Sequence, residues 1–446
     1  GDGNPDTQDL VTLSGLAITG GVADIGGGIS SSDSDLTLVD SVVSGNLATT
    51  AIPGVLSGSG GGIAVGFGSL NLIDSIVSDN AADIFAGGVF GLAESPLNIS
   101  NSIISGNSAT DGGAIAGVDP LTLTGSTISD NTAASTGGGI LVPAVPGSAS
   151  GPITISNSTI ANNSATTGGG IYNAGGQVDI TNSTITANIA NTGSGISSFG
   201  DTIAQTTLTS SIVSGNSGTD VDLSTPPTVD VADAPNSFTS NGNNLIGDGN
   251  ATDSFNGSGD ITGNTDPGLA PLADNGGPTP TIALLPGSPA IDAGSNPSNL
   301  TTDQRGTGFS RVIGAAADIG AFEVEGDAPD DPTDAPDTPA PGGPVDLNVD
   351  GNDAVEPATD VLNIFRVLAG APQAVVVPDG VGQQDIVNAV EAFPDLALDV
   401  DDSGTVEPAT DVLNIFRVLA GAPQAVVVPD GVSQQTVVDA VEALVT

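Results

Sequence analysis

Repetition governs the first half of this chain. An alternating segment ending in Asn recurs as LTLVDSVVSGN (36–46), LNLIDSIVSDN (70–80), LNISNSIISGN (97–107), LTLTGSTISDN (121–131), ITISNSTIANN (153–163), VDITNSTITAN (178–188) and TTLTSSIVSGN (206–216). Between copies stands a glycine cluster followed by an aliphatic residue, as in Gly60-Gly61-Gly62-Ile63 and Gly137-Gly138-Gly139-Ile140. Val, Ile, Leu and Thr alternating with polar residues at period two is strand chemistry. A unit of roughly 25–34 residues is too short to bury its own apolar face, so copies must stack along an axis to make a continuous core. The spacing predicts about eight coils of a mainly β, right-handed parallel β-helix.

The recurring Asn46, Asn80, Asn107, Asn131, Asn163, Asn188 and Asn216 fall at one corner, and Ser41, Ser75, Ser102, Ser126, Ser158, Ser183 and Ser211 are expected within the strands. Stacked carboxamides donate and accept at once, so a structural ladder is expected rather than a ligand stripe. This half resembles the parallel β-helix repeats of bacterial surface proteins, among them the polymorphic outer-membrane protein repeats. Residues 241–324 carry NGNNLIGDG, DPGLAPLADNGGPTPTIALLPGSPAIDAG and TDQRGTGFSRVIGAAADIGAFE. They resemble the C-terminal part of secreted choice-of-anchor proteins. The domain reading is therefore 1–240 for the repeats and 241–325 for terminal coils and an end cap.

Composition narrows the function classes. The chain of 446 residues has 52 acidic and 4 basic side chains, a net charge of −48, and no His or Cys. Phosphate backbones and anionic headgroups would be repelled, so nucleic acid is a poor partner and divalent cations are good ones. No apolar run is long enough to span a bilayer. The start at Gly1 reads as a mature product or a fragment, and an extracellular or cell-surface location is expected.

Catalysis is the competing reading, because β-helices host polysaccharide lyases and hydrolases. The four cations are Arg305, Arg311, Arg366 and Arg417, so residues 1–304 hold no basic side chain to abstract a proton or clamp an acidic sugar. Asp40, Asp74, Asp79 and Asp130 look scattered, and single acids more often solvate a surface than catalyse. The glycine clusters are not phosphate cradles, since no Lys follows them and no helix begins there.

Residues 326–344, GDAPDDPTDAPDTPAPGGP, read as an extended Pro/Asp linker. Beyond it, 345–446 is a tandem duplication. VEPATDVLNIFRVLAGAPQAVVVPDGV stands at 355–381 and again at 406–432. Thr359 and Thr410 are placed to cap helices that Gly370 and Gly421 stop. Before each helix lies an oxygen-rich loop. The second offers Asp399, Asp401, Ser403, the carbonyl of Thr405, Glu407 and Asp411, with Gly404 at the bend. Side-chain oxygens at loop positions 1, 3, 5 and 9 with Gly at 6 match a Ca²⁺ loop of the EF-hand type. The last carboxylate sits at position 13, one residue late. The first loop offers Asn348, Asp350, Asn352, the carbonyl of Ala354, Glu356 and Asp360, with Asp353 where the glycine stood. Weaker binding is expected there.

These loops, each followed by TDVLNIFRVLAG, resemble the duplicated calcium-loop-plus-helix segments of dockerin-like modules. That resemblance implies a small all-α domain and a cohesin-like partner. The 51-residue spacing and the second helix depart from a compact dockerin. The function expected is a non-catalytic adhesion or scaffold protein with a Ca²⁺-dependent docking or anchoring module, its partner a cohesin-like or cell-envelope protein or a glycan. The alternative is a carbohydrate-active β-helix hydrolase or lyase.

Overall fold

The computed structural model describes residues 9–50, 57–92, 95–117, 120–144, 150–200, 204–224 and 236–324. The chain divides after Glu325 into two units, and all described residues belong to the first. The expected linker (326–344) and the expected helices and calcium loops of 345–446 lie outside the described residues.

The alternating segments become strands that turn a corner and pair, in parallel, with their own repeats. One coil shows the pattern: Leu121–Thr124, Thr127–Ser129, Thr132–Ala133 and Ile140–Val142. The first, second and fourth of these strands lie between their counterparts in the coils before and after, while Thr132–Ala133 ends its sheet; the parallel sheets hold nine, ten, five and eight strands. Register is strict: Leu97, Leu121 and Ile153 align, as do Ile99, Leu123 and Ile155. Inward positions therefore stack aliphatic on aliphatic, Leu and Ile exchanging from coil to coil, and one apolar column runs from Leu36 to Phe255. Period-two alternation leaves Thr122 and Thr154 on the outside of the same strands.

The expected solenoid is present, with nine strands in its first sheet where about eight coils were expected. The first coil starts at Asp9–Ser14 and the ninth at Ser237–Ser240. Neither carries the Ser and Asn signature: Leu16 and Gly21 stand where the second coil has Ser41 and Asn46.

Two corners per coil need a left-handed residue, which Gly, Asn and Asp adopt most cheaply. Asp40 (φ 48°), Asp74 (48°), Asn101 (48°) and Asn157 (51°) fill the first corner, and Asp79 (56°), Asp130 (59°) and Asn162 (60°) the second. The aspartates that look scattered along the sequence are thus aligned corner residues. The ladder residue follows directly, so the Ser column lies at the bend between the first two sheets, not within the strands. Steric room explains the glycine cluster. Gly60 has φ +69°, and a Cβ on Gly61 would overlap the carbonyl oxygens of Ala81 and Gly87.

Both ladders are continuous. The Asn107 backbone N–H and Nδ2 donate to Asn131 Oδ1 at 2.9 Å each, and the two Asn131 donors reach Asn163 Oδ1 at 3.0 and 2.9 Å. Asn131 Nδ2 also reaches the carbonyl of Ile104 at 2.9 Å. Ser75 N–H donates to Ser102 Oγ at 3.1 Å, and Ser102 Oγ donates to the carbonyl of Ser100 at 2.8 Å. These side chains are buried and satisfy corner backbone groups that would otherwise cost about 1–3 kcal/mol each. The structural reading of both columns holds.

At the far end the ladders finish on carboxylates. Asn216 donates twice to Asp220 Oδ1, at 2.9 and 2.8 Å, and Asn244 N–H donates to Asp260 Oδ1 at 2.9 Å. Phe238 and Phe255, with ring centroids 5.7 Å apart, plug the core there together with Ala251.

Residues 241–325 were expected as terminal coils and a cap. Leu245–Ile246 and Ile261–Thr262 do continue the ten-stranded sheet. Residues 266–324 instead return along the outside of that sheet. Thr127 Oγ1 donates to the carbonyl of Pro280 (2.6 Å), Thr159 Oγ1 to Gln304 Oε1 (2.6 Å), and Ala321 N–H to Thr184 Oγ1 (3.1 Å). Outward-facing Ile212 and Leu245 join Leu284, Ala290, Ile319 and Phe322 in a second apolar cluster. The end is closed by residues around Phe255; the later segment is a buttress on the flank.

Candidate functional site

Every residue expected to bind calcium (Asn348, Asp350, Asn352, Ala354, Glu356, Asp360, Asp399, Asp401, Ser403, Thr405, Glu407 and Asp411) lies outside the described residues. Among the described residues no three acids gather in a way that could hold a metal ion, and no helix is long and apolar enough to cross a membrane.

Several acids in the coils act as backbone acceptors. Asp35 Oδ1 takes the N–H and hydroxyl of Ser69 at 3.0 and 2.8 Å. Asp111 Oδ1 does the same for Thr136 at 3.1 and 2.6 Å. Asp220 uses its second oxygen for Asp248 N–H at 2.8 Å, and burial pushes its carboxyl above the usual range. Pairing with N–H dipoles lets a nearly cation-free chain keep these carboxylates inside a folded body.

The densest polar constellation lies in the flank buttress. Arg305 binds Asp303 Oδ2 through Nε (2.9 Å) and Nη2 (2.8 Å), and its guanidinium lies between the rings of Phe309 (4.0 Å) and Phe322 (3.9 Å). A second group surrounds Arg311. Its Nη2 donates to the carbonyl of Asp318 at 2.7 Å, and its Nη1 stands 4.0 Å from Glu323 Oε2. Glu323 accepts N–H bonds from Ile313 (2.7 Å) and Asp318 (2.8 Å), while Asp318 accepts from Asp292 (2.7 Å) and Val324 (2.6 Å). Burial raises the Glu323 carboxyl to about 7, raises that of Asp318, and lowers Arg311.

Perturbed carboxyls of this kind often mark catalytic acids. Here Glu323 and Arg311 are 0 % and 1 % exposed, and both oxygens of Glu323 and of Asp318 hold backbone N–H groups. No substrate reaches them. Their chemistry is to rivet an irregular segment whose turns supply few regular backbone pairs. Arg305 and Arg311 are also the only cations among the described residues, so that body has no exposed basic side chain.

A second regular polar array is the outer side of the nine-stranded sheet. Asn98 Nδ2 donates to Asn71 Oδ1 (3.1 Å) and Asn71 Nδ2 to Thr37 Oγ1 (3.3 Å); Thr124 and Ser156 hydroxyls meet at 3.1 Å. Hydroxyls and amides there repeat coil by coil with few charges, an array suited to hydrogen-bonding an uncharged polar partner.

The buttress network was not anticipated from the residues, although a signal existed. The ladder Ser is followed by Val or Ile in coils two to four (Val42, Ile76, Ile103) but by Thr in coils five to seven (Thr127, Thr159, Thr184). Those are the threonines that receive the buttress. The clustering of both solenoid-unit arginines within 305–311 was the other sign. No protein-family model, curated protein or solved structure matches this chain.

Proposed function

We propose that this chain is a non-catalytic adhesion or scaffold protein of the cell surface or extracellular space, with a C-terminal module that docks or anchors it when calcium is bound. The observation that carries the reading is the fate of the charged groups in the solenoid unit. Both arginines are buried in the buttress, several acids hold backbone N–H groups, and the exposed regular face is built of Thr, Asn and Ser. Such a body presents a polar face with few charges and offers no cationic clamp for an acidic polymer. A neutral glycan or a cell-envelope protein fits that chemistry. The competing reading, a polysaccharide hydrolase, would draw on the raised carboxyls of Asp220, Asp318 and Glu323, and each is buried and engaged.

The calcium part rests on donor chemistry. Oxygen-only loops at 348–360 and 399–411 suit a hard cation, and without one their acids repel each other, so binding should drive local folding. Titration of the full chain with Ca²⁺ should release or absorb heat and increase helical circular dichroism, and Asp399→Ala with Asp401→Ala should remove most of the response. A chain silent to Ca²⁺ in both measurements would defeat this part. A glycan and protein-partner screen run with Ca²⁺ and with chelator tests the rest; turnover of a neutral polysaccharide would favour the hydrolase.

A further inference from the structure

The outer side of the nine-stranded sheet repeats in two directions. Coils four to eight carry NIS (98–100), TLT (122–124), TIS (154–156), DIT (179–181) and TLT (207–209) in strict register. The middle residue of each triplet is an aliphatic in the core, so the first and third stand outside as two parallel columns. Nine of those ten outward side chains end in a hydroxyl or an amide, six of them Thr, and Asp179 is the one charge. Asn98, Thr122, Thr154 and Asp179 are exposed, and the second column is half-buried.

The backbone fixes the mesh of this array. Neighbouring coils stand about 4.8 Å apart, and residues i and i+2 about 6.6 Å apart along a strand. The buried Ser and Asn ladders at the corners hold the register from coil to coil. A β-branched Thr has few χ1 rotamers, so its methyl and hydroxyl are pre-set on the face. Thr124 and Ser156 hydroxyls meet at 3.1 Å, which fixes them further. A single glycan or peptide strand repeats along one direction only. The surface oxygens of hexagonal ice repeat along two: at slightly less than the coil spacing on one lattice axis, and slightly more than the column spacing on the perpendicular axis. Crystalline polysaccharides also repeat in two directions, but flat sugar faces are held by aromatic rings, and neither column contains one.

We propose that this face binds the surface of ice. Hydroxyls and amides take up lattice positions of water, and threonine methyls fill the hollows between them. A rigid sheet gives up little freedom on docking, so many weak contacts made together suffice. This goes beyond adhesion to a glycan or a protein, and the two stand separately: a chain indifferent to ice can still find a partner in the glycan and protein screen.

Ice grown slowly into a dilute solution of the full chain should take it up in preference to serum albumin. Under a cold-stage microscope the crystals should be facetted, with growth arrested over a gap between melting and freezing. Thr122→Tyr with Thr154→Tyr, which raises two rings from the middle of the face, should abolish both effects with unchanged β circular dichroism. Thr132→Tyr, exposed on the five-stranded sheet, should keep them. Asp179→Thr removes the one charge from the ten positions and should widen the gap, a gain that misfolding cannot mimic. Exclusion of the parent chain from ice, retention by the double Tyr variant, equal loss in Thr132→Tyr, or no widening in Asp179→Thr would each overturn the proposal. So would a chain that ignores ice and binds crystalline cellulose through the same threonines.

Discussion

Replacing Asn131 by Ala removes a ladder rung from the middle of the solenoid. Its Oδ1 accepts the backbone N–H and one Nδ2 hydrogen of Asn107, and its Nδ2 serves Asn163 Oδ1 and the carbonyls of Ile104 and Ser129. All of these groups belong to a wholly buried corner. The substitution strands the Asn107 backbone N–H and takes a donor from the carbonyls of Ile104 and Ser129, while Asn107 Nδ2 keeps the carbonyls of Val77 and Ser105. Each buried group left without a partner costs about 1–3 kcal/mol. Relaxation and entry of a water recover part of this, leaving an expected loss of about 2–4 kcal/mol. Asn46→Ala is the internal control. Its Oδ1 accepts only Gly21 N–H from the first coil, and that corner is partly open to solvent. There the loss should be about 1–2 kcal/mol. Urea unfolding followed by β circular dichroism reads the difference, with hydrogen exchange at the corner amides of coils four to six locating it. Equal losses for the two variants would refute the ladder as an energetic element and reduce it to a by-product of stacking.

Arg305→Ala leaves Asp303 buried without its guanidinium and empties the space between Phe309 and Phe322, so the buttress should loosen by about 3–5 kcal/mol. Limited proteolysis should then cut within 266–324 while the parallel coils persist; protection equal to the parent chain would contradict it. Glu323 has its folded pKa raised from 4.5 to about 7, so its protonated form is favoured by folding. Its contribution is therefore most favourable below the unfolded value and is lost as pH rises toward 7, and Asp318 acts in the same direction. Glu323→Gln should flatten the fall in melting temperature over that window, and a profile parallel to the parent would disprove the assignment.

Much of the architecture was legible because each repeat states its local problem completely. Leu36, Leu38 and Val43 alternate inward, Asp40 supplies a left-handed corner, and Ser41 and Asn46 carry the two hydrogen-bonding columns. Seven copies of one solution leave stacking as the way to bury the apolar side. The first and ninth coils carry no signature because a ladder must end, and an end is where Leu16, Gly21, Asn244 and Asp260 replace it.

Sequence alone therefore determined the coil, its corners and its ladders, since these follow from contacts between a residue and its own repeat one turn away. Tertiary structure decided where residues 266–324 lie. Their placement depends on Thr127, Thr159 and Thr184 meeting Pro280, Gln304 and Ala321 across 137 to 153 positions of chain. Periodicity carries no information over that distance. It is also why Arg305 and Arg311 are the buried rivets of the flank: only the returned segment excludes the water that would otherwise solvate them.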